Sequence, residues 1–169
     1  FGEEGGGEAG ERVWIIDPID GTTNFLRGLP DWGISIGFAQ GNEAEIGCIY
    51  LPTTDALYAA KQGGGATCNG RPIRVSRTKD IAQGMLGLGF SYRRNVAPFA
   101  ELTNRLLSAH CEFRRVGSCV HGMAYAADGR TDGYYEEHIN SWDIMAGLVL
   151  VREAGGWTSD FLTGDWLTE

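Results

Sequence analysis

Short runs of apolar residues, broken by turn signals, dominate the first half of the chain; helical periods enter in the second. Val13 to Ile16 predicts a buried strand, ending at Asp17-Pro18 because proline donates nothing to a ladder. Asp20-Gly21-Thr22-Thr23-Asn24 reads as a turn that opens a helix, with Asp20 or Thr22 near its N-cap. Gly33 to Ala39 and Glu45 to Tyr50 read as strands, and Gly41-Asn42 between them is a hairpin signal. Ala56 to Ala60 and Ile73 to Val75 add two more, separated by the loop Gly63-Gly64-Gly65. The first half is therefore expected to be largely antiparallel sheet.

From Gly84 the pattern changes. Gly84 to Phe90 predicts a strand, and Pro98 to His110 a helix with Phe99, Leu102, Leu106 and Leu107 on one face. Phe113 to Val116 predicts a strand, Ser118 to Ala127 a small-residue helix, and Asp132 to Glu136 another strand. Asn140 or Ser141 caps a helix from Trp142 to Ala154, closed by Gly155-Gly156. Trp157 to Phe161 reads as a last strand. Strands interleaved with helices give an α/β organisation.

At 169 residues the chain suits one domain with a real core. Its net charge of −8 repels a phosphate polymer, so nucleic acid is not the favoured partner. A small phosphate ester remains possible wherever a metal ion supplies positive charge locally. Cys48, Cys68, Cys111 and Cys119 form no C-x-x-C pair and read as reduced thiols, consistent with a cytoplasmic protein. No apolar run reaches membrane-spanning length. Phe1 to Arg12 is acidic and Gly-rich, unlike a signal peptide; the chain is cytosolic or its native start lies elsewhere.

The sharpest chemical signal is Asp17-Pro18-Ile19-Asp20-Gly21-Thr22-Thr23-Asn24-Phe25. It holds two carboxylates three residues apart on one turn, and isolated buried carboxylates are very costly. Divalent cations relieve that cost, and oxygen ligands select a hard ion such as Mg²⁺. The N–H groups of Gly21 and Thr22, at a helix start, are placed to receive phosphate oxygens. Asp-x-x-Asp-Gly alone is more often a solvated turn with a helix cap. Asp143, in the first turn of its helix, would by itself be read as a carboxylate favouring the helix dipole. His110, His121 and His138 are scattered and read as satisfied or surface side chains.

The complete nine-residue string resembles the metal-binding signature of the inositol monophosphatase family, D-P-[ILV]-D-G-T-x-N-F, at every position. Trp142, Asp143, Ala146 and Gly147, then Glu153 to Gly156, match that family's second signature. Gly2-Glu3-Glu4 resembles its upstream G-E-E string, at a shorter interval from Asp17. The resemblance implies an α/β (α+β) fold, a layered αβαβα sandwich with antiparallel and mixed sheets. It also implies that residues 1–169 are a catalytic core lacking two N-terminal helices and a C-terminal strand and helix.

The same resemblance implies Mg²⁺-dependent hydrolysis of a small phosphate monoester, inositol 1-phosphate first, without a covalent intermediate. Two or three ions would be held by Glu3, Asp17, the Ile19 carbonyl, Asp20 and Asp143. Glu3, Asp17 and Thr22 would be catalytic, with Glu3 and Thr22 orienting the water. Gly21, Thr22, Asp20, Gly117, Ser118 and Glu136 would bind substrate, Glu136 through a ring hydroxyl. Glu136 also suits a plain surface carboxylate. Members are commonly lithium-sensitive homodimers. Relatives act on fructose 1,6-bisphosphate, histidinol phosphate or 3′-phosphoadenosine 5′-phosphate, and Thr23-Asn24-Phe25 favours the inositol branch over the nucleotide branch. Some bacterial members instead bind the transcription machinery as regulators.

Overall fold

A computed structural model describes residues 1–4, 10–162 and 166–167. The first half is the expected antiparallel sheet: β1 Arg12–Asp20, β2 Gly33–Gln40, β3 Glu43–Leu51, β4 Ala56–Lys61, β5 Gly65–Cys68 and β6 Arg71–Pro72, in sequential order. Alternation sets its faces. Val13, Ile15 and Asp17 of β1 point inward, while Trp14 and Ile16 are exposed.

The second half supplies α2 Val96–Ser108, α3 Cys119–Ala127 and α4 Ser141–Glu153, after the short α1 Thr22–Leu26. It also supplies a three-stranded parallel sheet, order β8-β7-β9, from β7 Met85–Leu88, β8 Glu112–Arg114 and β9 Gly133–Tyr135. Helices α3 and α4 lie between the two sheets. Val120, Ala124, Met145 and Val149 join Ile15, Ile49, Leu51 and Tyr58 in one core. Helix α2 covers the far side of the parallel sheet, around Leu88, Leu106 and Cys111. The layers thus run sheet, helices, sheet, helix, with antiparallel and parallel sheets in one mixed α/β fold. Among the described residues all four cysteines are free.

Several expectations need correction. β1 does not stop at Asp17-Pro18 but continues to Asp20. Its register with β2 shifts between Asp17 and Asp20, so the missing Pro18 N–H falls in an irregularity of an edge strand. The N-cap of α1 is Gly21, flanked by Asp20 and Thr22 as expected, at φ 85, a left-handed conformation that suits glycine. Ile73 to Val75 forms no strand, and the Val75 N–H donates to the Ala154 carbonyl at the end of α4. Trp157 to Phe161 is likewise irregular, with Trp157 84% exposed and so without a partner sheet. His121 is buried, and neither ring nitrogen has a hydrogen-bond partner among the described residues. Asp31 Oδ1 lies 3.7 Å from its Nε2, and burial holds the imidazole below its usual pKa.

Candidate metal and phosphate site

Asp17, Asp20 and Asp143 offer carboxylate oxygens all within 4.8 Å of one another. Two elements bring them together. Asp17 is the last inward residue of regular β1, Asp20 ends the strand, and Asp143 lies in the first turn of α4. Asp17 is buried, and its Oδ1 accepts the Ile19 N–H at 2.9 Å. Its Oδ2 has no hydrogen-bond partner among the described residues. Asp20 accepts from Ser118 Oγ at 2.5 Å and from the Val120 N–H at 2.8 Å. Asp143 accepts from the Asn140 backbone and side chain at 3.2 and 3.0 Å.

The electrostatics of the cluster suit a cation. Burial, then the charges of Asp20 and Asp143, pushes the Asp17 carboxyl up to about 8. Burial pushes Asp20 up to about 7, against the Ser118 hydrogen bond. Burial also raises Asp143, against the donors of Asn140. An orphaned buried oxygen amid three carboxylates fits a divalent cation, whose charge would offset theirs.

Glu3 is exposed and stands outside that tight triad, but it is not remote. Gly2 bridges Ile16, and the Ile16 N–H donates to the Phe1 carbonyl at 2.9 Å, which seats the G-E-E string along β1. Partial burial, then Asp143 and Glu4, raises the Glu3 carboxyl. Thr22 Oγ1 donates to the Ile19 carbonyl at 3.0 Å and so fixes that oxygen at the turn. Asn24 donates to the carbonyls of Asp31 at 2.6 Å and Val116 at 2.8 Å, clamping the turn to the loop before α3.

A cleft opens beside the triad. It is lined by Asp20, Gly117, Ser118, Glu136 and Asp143, five of the residues named from the sequence, and also by Phe90, Arg115, Cys119 and Tyr134. Of these, Phe90, Arg115 and Cys119 carry no local motif, while Tyr134 sits in the Asp132–Glu136 string. Their common feature is position beside a strand end or helix start, visible only once the parallel sheet is assembled. Tyr134 donates to Glu136 Oε2 at 2.6 Å, so Glu136 is held in the cleft and is not a free surface carboxylate. Glu153, from the second signature, does not enter the cleft; it accepts the N–H groups of Gly63 and Gly65 at 2.8 and 2.7 Å.

A model described as "Inositol monophosphatase family" matches residues 1–168. The chain belongs to the inositol monophosphatase family. It is 43% identical over 168 residues to a Nus factor SuhB of Xylella fastidiosa, covering 98% of this chain and 61% of that protein. It is 40% identical over 161 residues to an inositol-1-monophosphatase of Rhizobium meliloti, covering 94% and 60%. The solved inositol monophosphatase from Anabaena (Nostoc) superposes with a TM-score of 0.85 at 40% identity, covering 92% of this chain and 64% of that one. This inositol monophosphatase-family chain thus spans about three-fifths of the length of these curated relatives.

Proposed function

We propose that residues 1–169 form the catalytic core of a Mg²⁺-dependent phosphatase that hydrolyses a small phosphorylated polyol, inositol 1-phosphate foremost. The observation that carries this reading is the triad of Asp17, Asp20 and Asp143 within 4.8 Å, with Asp17 Oδ2 buried and unpartnered among the described residues. Glu3, Asp17, the Ile19 carbonyl, Asp20 and Asp143 would hold the ions. When bound, such ions acidify a water and stabilise charge on the leaving oxygen.

The chain's own residues do the rest. Ser118 and Val120 hold Asp20 in place, and Asn140 holds Asp143. Thr22, tied to Ile19, and Glu3 orient the attacking water for in-line displacement with no covalent intermediate. Gly21, Gly117 and Ser118 border the space for phosphate and ring. Glu136, positioned by Tyr134, accepts a hydroxyl of the leaving group. Chelation of the whole protein should abolish phosphate release, and Mg²⁺ should restore it while Ca²⁺ does so poorly. Full turnover in excess chelator refutes the reading.

The family resemblance extends the proposal to a lithium-sensitive, cytoplasmic homodimer. Among the described residues no helix is long and apolar enough to cross a membrane. A second reading, association with the transcription apparatus, takes its support from the Xylella relative's name. It predicts partner binding that survives loss of phosphatase activity in an Asp143→Asn variant.

A further inference from the structure

Strands β7, β8 and β9 run parallel, and ligands in such sheets bind beyond the carboxyl ends. The first residue past each end is Gly89, Arg115 and Glu136 respectively, and all three line the cleft. Gly89, lacking a side chain, leaves the space between them open. A Cβ there would collide with the Glu136 carboxylate and the Tyr134 hydroxyl, so Glu136 leans across the central strand toward the β8 side. Arg115 is the only basic residue among the described residues lining the cleft. It is exposed and makes no ion pair among them, whereas its neighbour Arg114 is paired with Glu112 at 3.0 Å. Arg115 still reaches Glu136 electrostatically, opposing the rise that burial causes in that carboxyl.

We propose that Arg115 is a specificity-determining residue that binds a second anionic group, phosphate or carboxylate, on the leaving-group ring of the substrate. The inference rests on the phosphatase reading and deepens it. The ends of β8 and β9 are two strand spacings apart, roughly 9–10 Å, which suits a hexose-sized ring with substituents reaching both walls. Glu136 accepts a hydroxyl on one side; the guanidinium, with its fork of donors, takes an oxyanion on the other. In a chain of net charge −8, an unpaired arginine at an acidic cleft is a local positive centre for a polyanionic ester. If Arg115 only tempered Glu136, its loss would affect all esters alike.

The test compares kcat/KM on the whole protein with Mg²⁺ for glucose 1-phosphate, glucose 1,6-bisphosphate and glucuronic acid 1-phosphate, which share one ring. Arg115→Gln should lower the preference for a doubly anionic ester over glucose 1-phosphate about tenfold. Arg115→Lys should recover part of it, and Arg114→Gln should leave it alone. Loss confined to the bisphosphate assigns phosphate; loss confined to the glucuronic ester assigns carboxylate. An unchanged ratio in Arg115→Gln overturns the proposal. If none of the esters is hydrolysed, Mg²⁺-dependent release from inositol 1-phosphate tests the phosphatase reading separately, and calorimetric binding of the same three esters decides the subsite alone. An Arg115-dependent preference in affinity keeps it, and equal affinities end it.

Discussion

The turn closing β1 and the wall formed by the ends of β7, β8 and β9 face one cleft but are built in opposite ways. The turn packs Asp17, Ile19, Asp20, Gly21, Thr22 and Asn24 into one contiguous stretch. The wall takes Gly89, Arg115 and Glu136 from three separate segments that meet only through parallel pairing. In the turn, burial raises two carboxyls to about 8 and about 7, a state suited to cations. The wall sets a guanidinium against a carboxylate held by a tyrosine, a state suited to recognition. On the proposed reading, chemistry would be concentrated where spacing is fixed by the backbone, and selectivity would lie where strand-end residues can change without disturbing the Asp17, Asp20 and Asp143 cluster.

The largest expected effect lies on the turn's side of the comparison. Asp143→Asn should lower the rate by on the order of a hundredfold at saturating Mg²⁺, through lost transition-state charge stabilisation. The relevant measurement is kcat beside thermal stability. If Asp143 served only to order the start of α4, stability would shift by about 1 kcal/mol and the rate would hold. That outcome would leave the turn without its third carboxylate.

The second prediction uses pH. Without metal, native Asp17 and Asp20 keep protons that the unfolded chain sheds near its ordinary carboxyl range. Between about pH 4 and pH 8 the native state therefore binds more protons, and metal-free stability falls as pH rises. Mg²⁺ displaces those protons, so its stabilisation should grow from pH 5 to pH 8. At a hundred times Kd it reaches about 2.7 kcal/mol, roughly 5–10 °C in Tm. A Mg²⁺-induced shift in Tm that is flat across this range would mean the cluster is not the ion's site.

How far the site could be read in advance follows from the same contrast. The β1 turn was legible because ligand and bend lie in one string, and Asp143 because it opens a capped helix with its own signature. The hairpin of β2 and β3 was legible through Gly41-Asn42. Arg115, Cys119 and Phe90 were not, since no local pattern tells which strand ends share a wall. The continuation of β1 past Pro18 was hidden for a related reason. Proline is tolerated there only because the register shifts on an edge strand, a property of the sheet and not of the residue. Glu153 shows the converse: a signature residue whose carboxylate secures the Gly63–Gly65 loop.

The wall's predictions are smaller. Glu136→Gln keeps the shape and one acceptor but removes the charge. It should lower the kcat/KM ratio of inositol 1-phosphate to an aryl phosphate about tenfold, since the aryl ester offers no ring hydroxyl. An unchanged ratio would confine selectivity to other parts of the wall, Arg115 first.

Tyr134→Phe is the finest probe, because it leaves Glu136 in place and removes only what aims it. Tyr134 is partly buried, and burial drives its hydroxyl far above its usual range, so it remains a donor at any working pH. Its 2.6 Å bond to Glu136 Oε2 is charge-assisted whenever that carboxyl is ionised. Without the hydroxyl, Glu136 regains rotamers and its desolvation is less compensated. Two consequences follow together. The carboxyl should rise further, since a donor to its charged form is gone. The inositol-to-aryl ratio should fall by a few-fold, about 1 kcal/mol, and more steeply at lower pH, where Glu136 protonates first in the variant. The rate on the aryl phosphate should stay within a factor of about two, because the metal carboxylates keep their own donors from Ser118, Val120 and Asn140. Equal loss on both esters would show that the wall supports the chemistry as well as the choice of substrate, and the division between turn and wall would fail.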